Sequence, residues 1–161
     1  MGVHIQPIDE ALMPKVIQFF TEHWGAPVIV SRGTKHKVEQ LSGFAAIRDN
    51  RMIGLVTYSI KSEECEIVSL DSLEENKGIG SKLVEKVEET AREEHCRRVW
   101  LITTNDNIRA IRFYQKRGYD LKALHRFAVD EARKLKPEIP LYSEEQIPIR
   151  HELEFEKVLY I

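Results

Sequence analysis

The sequence predicts an α/β fold: a single mixed, mostly antiparallel β-sheet flanked by helices on both faces. Three observations predict it. Segments 44–48, 52–61 and 65–70 are apolar and rich in β-branched residues, and short polar turns join them, which makes them antiparallel neighbours. From Cys65 onward the pattern alternates strand, helix, strand, helix, strand, the signature of helices packed on a sheet. The length of 161 residues, 42% of them apolar and 31% charged, suffices for one well-buried core and is short for two. Residues 1–161 are therefore read as one domain.

Each element has its own warrant. Val3–Pro7 alternates as a short first strand, and Asp9 can cap a helix running to about Glu22. That helix carries Leu12, Val16, Ile17, Phe19 and Phe20 on its apolar face, and Trp24-Gly25 ends it. Val28–Val30 reads as a brief extended segment, and the polar stretch Ser31–Gly43 as a loop with a helical turn. Asp49-Asn50-Arg51 makes the hairpin between Phe44–Arg48 and Met52–Lys61, and a turn at Ser62-Glu63-Glu64 leads into Cys65–Leu70.

A helix over 79–95 places Ile79, Leu83, Val84, Val87, Thr90 and Ala91 on one face, with Glu88 and Arg92 pairing on the charged side. Val99–Thr104 is nearly continuous in apolarity, as a central strand is. Asn105 or Asp106 can cap a helix from about Asn107 to Lys116, which Gly118 stops. Leu121–Leu124 is a strand and Ala128–Leu135 a short helix. Lys136–Arg150 holds three prolines and forms a loop, and Leu153–Leu159 alternates as a closing strand. A homodimer is allowed for, through the edge of that last strand.

Composition excludes several classes. A net charge of −2 and a pI near 6.3 argue against a nucleic-acid surface. The cysteines, Cys65 and Cys96, have no CxxC spacing and read as free thiols of a cytoplasmic protein. The six histidines form no HxH or HExxH pair, so no metal is expected. Neither a leader-like start nor an apolar run of membrane-spanning length appears, so no membrane role is expected.

Residues 75–80 read Glu-Asn-Lys-Gly-Ile-Gly, between an apolar strand and a long amphipathic helix. Such a turn aims backbone N–H groups, backed by a helix N-terminus, at one spot suited to phosphate. Strand 98–104 follows the helix, and then Asn107-x-x-Ala110-x-x-x-Tyr114-x-x-x-Gly118-Tyr119. At these residues the chain resembles the GNAT superfamily of acetyl-CoA-dependent N-acetyltransferases. Glu75-x-x-Gly78-x-Gly80 matches that family's acyl-CoA loop except at its first position, where the family has Gln or Arg. Asn107, Ala110, Tyr114, Gly118 and Tyr119 match its later signature in full.

The resemblance implies the GNAT fold, acetyl-CoA as acyl donor, and a primary-amine acceptor. It implies that Asn76, Lys77, Gly78, Ile79, Gly80 and Ser81 hold the diphosphate mainly through the main chain, with Lys77 and Lys82 able to add charge. Asn107 and Ala110 would line the pantetheine, and a backbone N–H near Leu70, where the family strand bulges, would hold the acyl oxygen.

The chemistry requires an uncharged amine, a held oxyanion and a proton for the departing thiolate. A lysine-like amine has a pKa of about 10.4 and must lose a proton first. Tyr114 is the candidate donor to the thiolate; read alone it packs its helix on the sheet, and its neighbours Asn107, Ala110 and Gly118 turn the reading towards catalysis. Glu66 lies within an apolar strand and is the candidate base, the alternatives being an exposed strand residue or a base made of ordered water. Asp71, Trp24 and Arg32 are candidate acceptor-side residues, with the loop 136–150. The sequence thus reads as an N-acetyltransferase acting on the amine of a small molecule by direct attack in a ternary complex. A protein or peptide N-acetyltransferase, and a non-catalytic acyl-CoA sensor, are the alternatives.

Overall fold

The computed structural model describes residues 2–74 and 78–160. The chain starts with β1 (His4–Pro7), α1 (Met13–Trp24), β2 (Val28–Ser31) and β3 (Thr34–Lys37). A single 3₁₀ turn over Val38–Gln40 leads into β4 (Ser42–Arg48), β5 (Arg51–Lys61) and β6 (Glu64–Ser72). Then follow α2 (Ile79–Glu93), β7 (Arg98–Thr104), α3 (Ile108–Lys116), β8 (Asp120–His125), α4 (Ala128–Leu135) and β9 (Glu152–Val158). Among the described residues a seven-stranded sheet runs in the order β1-β4-β5-β6-β7-β9-β8, and β2 and β3 form a separate hairpin. Every pairing in that sheet is antiparallel except β6 with β7. This is the mixed sheet the sequence predicts.

Both tight hairpins of the main sheet follow from their turn residues. Asp49 and Asn50 (φ 52° and 61°), then Ser62 and Glu63 (54° and 63°), take the left-handed values that match strand twist across a two-residue loop. Helix α1 begins later than Asp9. The Asp9 carboxylate accepts from the Leu12 N–H at 2.9 Å and closes a preceding turn, while Pro14 sits in the first helical turn, where a missing N–H costs nothing.

Two cores flank the sheet. Ile79, Leu83, Val84, Val87 and Ala91 of α2 pack with Tyr114 and Tyr119 on one face, over Val56, Cys65, Ile67, Val99, Leu101 and Phe155. On the other face α1 and the 3₁₀ turn bury Val16, Phe19, Phe20 and Val38 against Ala45, Leu55 and Val68. Among the described residues no helix is long and apolar enough to cross a membrane.

Four further sequence expectations are corrected. The stretch 31–43 is not mainly loop: Ser31 pairs with Thr34 around Arg32 and Gly33, both at positive φ, and β3 follows. Its Thr-Lys-His-Lys sequence shows no apolar alternation because almost all of it faces water. Glu88 is not on the solvated side of α2; it is buried, accepting from the Tyr119 hydroxyl at 2.8 Å with Lys157 at 3.4 Å. The cap of α3 is Asn107, whose side-chain oxygen accepts from the Ala110 N–H at 3.1 Å. Asn105 instead pins the 136–150 loop, accepting from the Arg150 and His151 N–H groups at 2.9 Å. Finally, β9 is no edge: it lies between β7 and β8, so it cannot extend a partner's sheet.

Candidate functional site

Strand β6 organises the site. It pairs with β7 only from Glu64↔Arg98 to Ile67↔Leu101, after which the two strands diverge although both continue. Its register with β5 slips at the same place, since Thr57 faces Ser69 while Tyr58 faces Ile67. Val68 is the extra residue of that bulge, two positions before Leu70, the expected site. Past it the backbone groups of β6 that face away from β5 are released from any ladder, as an oxyanion donor requires.

A cleft of about 500 Å³ opens beside this divergence, lined by Leu70, Gly78, Ile79, Gly80, Ser81, Asn107, Ala110 and Tyr114. These sequence-predicted residues therefore share one surface. Gly78 takes a left-handed φ of 76° at the start of α2, no side chain among the described residues caps that helix, and its first turn from Gly78 to Ser81 lines the cleft. A Cβ on Gly80 would lie 3.3 Å from the Phe113 ring, so glycine is what keeps this wall open. Asn107 offers the cleft only its amide nitrogen, its oxygen being engaged in the cap. Glu75, Asn76 and Lys77 lie outside the described residues.

Four basic residues of the cleft were missed: Arg109, Arg112, Lys116 and Arg117. The 109-112-116 spacing, one face of a helix, was visible in the sequence. Arg117 stacks 3.7 Å over Phe113 and donates from Nε to the Ser81 hydroxyl at 2.7 Å, tying α3 to the first turn of α2. Glu74, whose charge opposes an anion here, is paired with Arg48. The glycines, the helix start and these cations together fit a diphosphate ligand.

Tyr114 is 6% exposed, edge-on to Phe113 and Tyr119. Burial, and then the charge of Asp71, push its hydroxyl above the usual phenol range, so it stays protonated as a donor. Asp71 is partly buried on the α1 side of the sheet, where the Trp24 indole N–H donates to it at 2.8 Å. These two candidates are thus brought together across 47 residues of sequence. Burial raises the Asp71 pKa, opposed by the Trp24 hydrogen bond. Arg32 goes elsewhere, to Glu152 at 3.4 Å.

Glu66 is not in the cleft. Cys65 and Ile67 on either side face the α2 core, so Glu66 points to the α1 face. It lines a second cavity of about 460 Å³ beneath the β2–β3 hairpin, with Ser31, His36 and Trp100. It is 8% exposed and accepts from the Ser31 hydroxyl at 2.6 Å. Desolvation pushes its carboxyl from 4.5 up to about 7, the Ser31 hydrogen bond opposing and Glu152 and Glu154 adding repulsion.

A splayed parallel strand pair, an anion cradle at a helix start and a buried tyrosine facing it define an acyl-CoA-type transferase site. A sequence model of the acetyltransferase (GNAT) family matches residues 10–119, and the chain belongs to that family of transferases. It is 48% identical over 156 residues to the uncharacterised protein YdhI of Bacillus subtilis, covering 96% of this chain and 98% of that one. Among solved structures it resembles an IAA acetyltransferase from Bacillus cereus (TM-score 0.75, 20% identity, 98% of this chain and 100% of that chain). It also resembles a GNAT family acetyltransferase from Elizabethkingia anophelis with acetyl-CoA bound (TM-score 0.72, 16% identity, 98% of each chain).

Proposed function

We propose that this protein transfers the acetyl group of acetyl-CoA to the primary amine of a small molecule, by direct attack in a ternary complex. The observation that carries the reading is the single cleft that joins the start of α2, the released backbone of β6 and Tyr114. The Elizabethkingia relative's bound acetyl-CoA supports the choice of donor.

Acetyl-CoA would supply the thioester; the remaining work falls to the chain. The N–H groups of Gly78, Ile79, Gly80 and Ser81 would hold the diphosphate, with Arg112 and Lys116 adding charge. A freed backbone N–H near Leu70 would polarise the acyl oxygen. Tyr114 would donate into the charge developing on sulfur. Because its pKa is raised, full transfer to a thiolate of pKa ~8.5 is uphill, so the hydrogen bond itself carries the stabilisation.

On the α1 face, Asp71 held by Trp24 would receive the acceptor ammonium, and Glu66 would take its proton. The strand rise of about 3.3 Å per residue puts Glu66 roughly 13 Å of backbone before Leu70, so water bridges that step. Lys136 closes this side by donating to the Trp24 and Val28 carbonyls at 3.3 and 2.8 Å, an enclosure that favours a small amine over a peptide.

The test is acetyl-CoA binding by calorimetry, followed by thiol release across a panel of amines and N-terminal peptides. Binding with amine-dependent release supports the proposal. Release with peptides alone moves the acceptor to protein, binding without release on either class leaves a sensor, and absence of binding overturns the site.

A further inference from the structure

The cavity under the β2–β3 hairpin holds a group the mechanism has not used. His36 of β3 points inward, its side chain 12% exposed, while its neighbours Lys35 and Lys37 are exposed. Its Nε2 is buried and makes no hydrogen bond among the described residues. A buried polar atom of this kind asks for an explanation. Glu66 faces it, with Oε1 3.6 Å away while its other oxygen accepts from Ser31. That separation is just outside a direct hydrogen bond and within reach of one bridging water or a small side-chain adjustment.

We propose that His36 is the second station of a proton path: it takes the acceptor's proton from Glu66 and releases it to solvent in the hairpin cavity. This rests on the proposed function. In the balanced reaction an ammonium and a thioester give an amide, a thiol and one proton. The C–N bond forms and the C–S bond breaks. Of the two protons nitrogen gives up, one balances the proton that sulfur takes, and the other leaves through Glu66 and His36. Glu66 sits one rung before the strands part, with the reaction on one side and this cavity on the other. A base enclosed there needs an exit for its proton, because turnover stops while it stays protonated.

The local charges suit the role. Glu152 and Glu154 of β9 act on Glu66, and they are themselves paired, with Arg32 and with Arg98 and His125. Lys61 of β5 and Glu64 of β6 line the same cavity. Desolvation raises the Glu66 pKa to about 7 and lowers that of His36, so the step from Glu66 to His36 runs uphill and is drawn forward by release of the proton to solvent.

The experiment compares wild type, Glu66→Gln, His36→Ala and His36→Gln, the last keeping the test alive should alanine unfold the hairpin. Thiol release is followed with the best amine between pH 6 and 9, with and without added imidazole. His36 is also titrated by NMR in wild type and in Glu66→Gln without substrates. Expected are a kcat about tenfold or more lower in His36→Ala with KM within about twofold, recovery with imidazole, and no recovery in Glu66→Gln. The His36 titration midpoint should move when Glu66 becomes Gln. A kcat within twofold of wild type at every pH, a loss that imidazole does not restore, or an unmoved His36 titration each overturns the inference. Wild type inactive on every amine would overturn the proposed function, while the NMR arm would still read the contact.

Discussion

Replacing Glu66 by Gln tests the buried carboxylate without disturbing its shape. The amide keeps an oxygen for the Ser31 hydroxyl and removes the titration. In the folded chain the carboxyl titrates at about 7 instead of 4.5, so between those values the native state holds a proton that the unfolded state has lost. The carboxyl's contribution to stability is therefore full below pH 4.5, falls as pH rises, and is gone above about 7. A tenfold difference in proton affinity between the folded and unfolded chain is worth about 1.4 kcal/mol, so from pH 5 to pH 8 wild type should lose about 2 to 3 kcal/mol relative to Gln. For a chain of 161 residues that corresponds to roughly 5–10 °C in relative Tm.

Urea unfolding of both proteins at half-unit steps from pH 5 to 8 measures the difference directly, and every other titrating group cancels to first order. The Gln protein should gain on wild type steadily and level off near pH 7. A difference flat across the range would mean an ordinary, solvated carboxylate. That result would refute the desolvation argument and remove Glu66 as a base tuned for neutral pH.

Other consequences are as direct. Tyr114→Phe should lower kcat by about 10²-fold or more through loss of the hydrogen bond to the developing thiolate, with acetyl-CoA affinity by calorimetry within about threefold; equal losses in both would make Tyr114 a packing residue. Tyr119→Phe leaves the buried Glu88 without its 2.8 Å donor and should cost about 1.5–3 kcal/mol in urea unfolding; no change would show Glu88 to be solvated. Gly80→Val forces methyl groups into the Phe113 ring and should weaken acetyl-CoA binding about tenfold or more; full affinity would place the ligand elsewhere. Trp24→Phe keeps the ring but removes the donor to Asp71, and KM for the amine should rise about tenfold while acetyl-CoA affinity holds.

What the sequence made legible was local. The strand–turn–strand run, the glycine turn and the Asn107–Tyr119 block are contained in short windows, where spacing alone places side chains on a face. The failures came from partners far along the chain. Glu88 falls within the stripe 84-87-88-91, so its position was readable; its charge argued against burial, and its partners Tyr119 and Lys157 lie 31 and 69 residues away. The hairpin of β2 and β3 was unreadable because only His36 turns inward from β3. The cap of α3 was expected at Asn105 or Asp106; the return of the chain at Arg150 and His151 engages Asn105, and Asn107 caps the helix instead. Of the candidate site, the grouping of Gly78, Gly80, Asn107 and Tyr114 on one cleft was legible, whereas the separation of Glu66 from them depends on which way one strand residue points.

That separation carries a mechanistic consequence. Tyr114 reaches the site from the α2–α3 side of the sheet, while Asp71 and Glu66 face α1. A flat, fully paired sheet would insulate the two sides from each other. The divergence of β6 and β7 beyond Ile67↔Leu101 opens the sheet, and in the proposed reading an acyl group held on one face meets there an amine held on the other. Closing the gap, for instance by apolar residues at Ser69 and Asp71 that prolong the core, should therefore abolish transfer while sparing acetyl-CoA binding. In the proposed reading, binding is built on α2 and α3 and needs only one face, whereas transfer needs both. Retained thiol release in such a variant would show that donor and acceptor share one side, and would move the search for the base away from Glu66 and into the cleft itself.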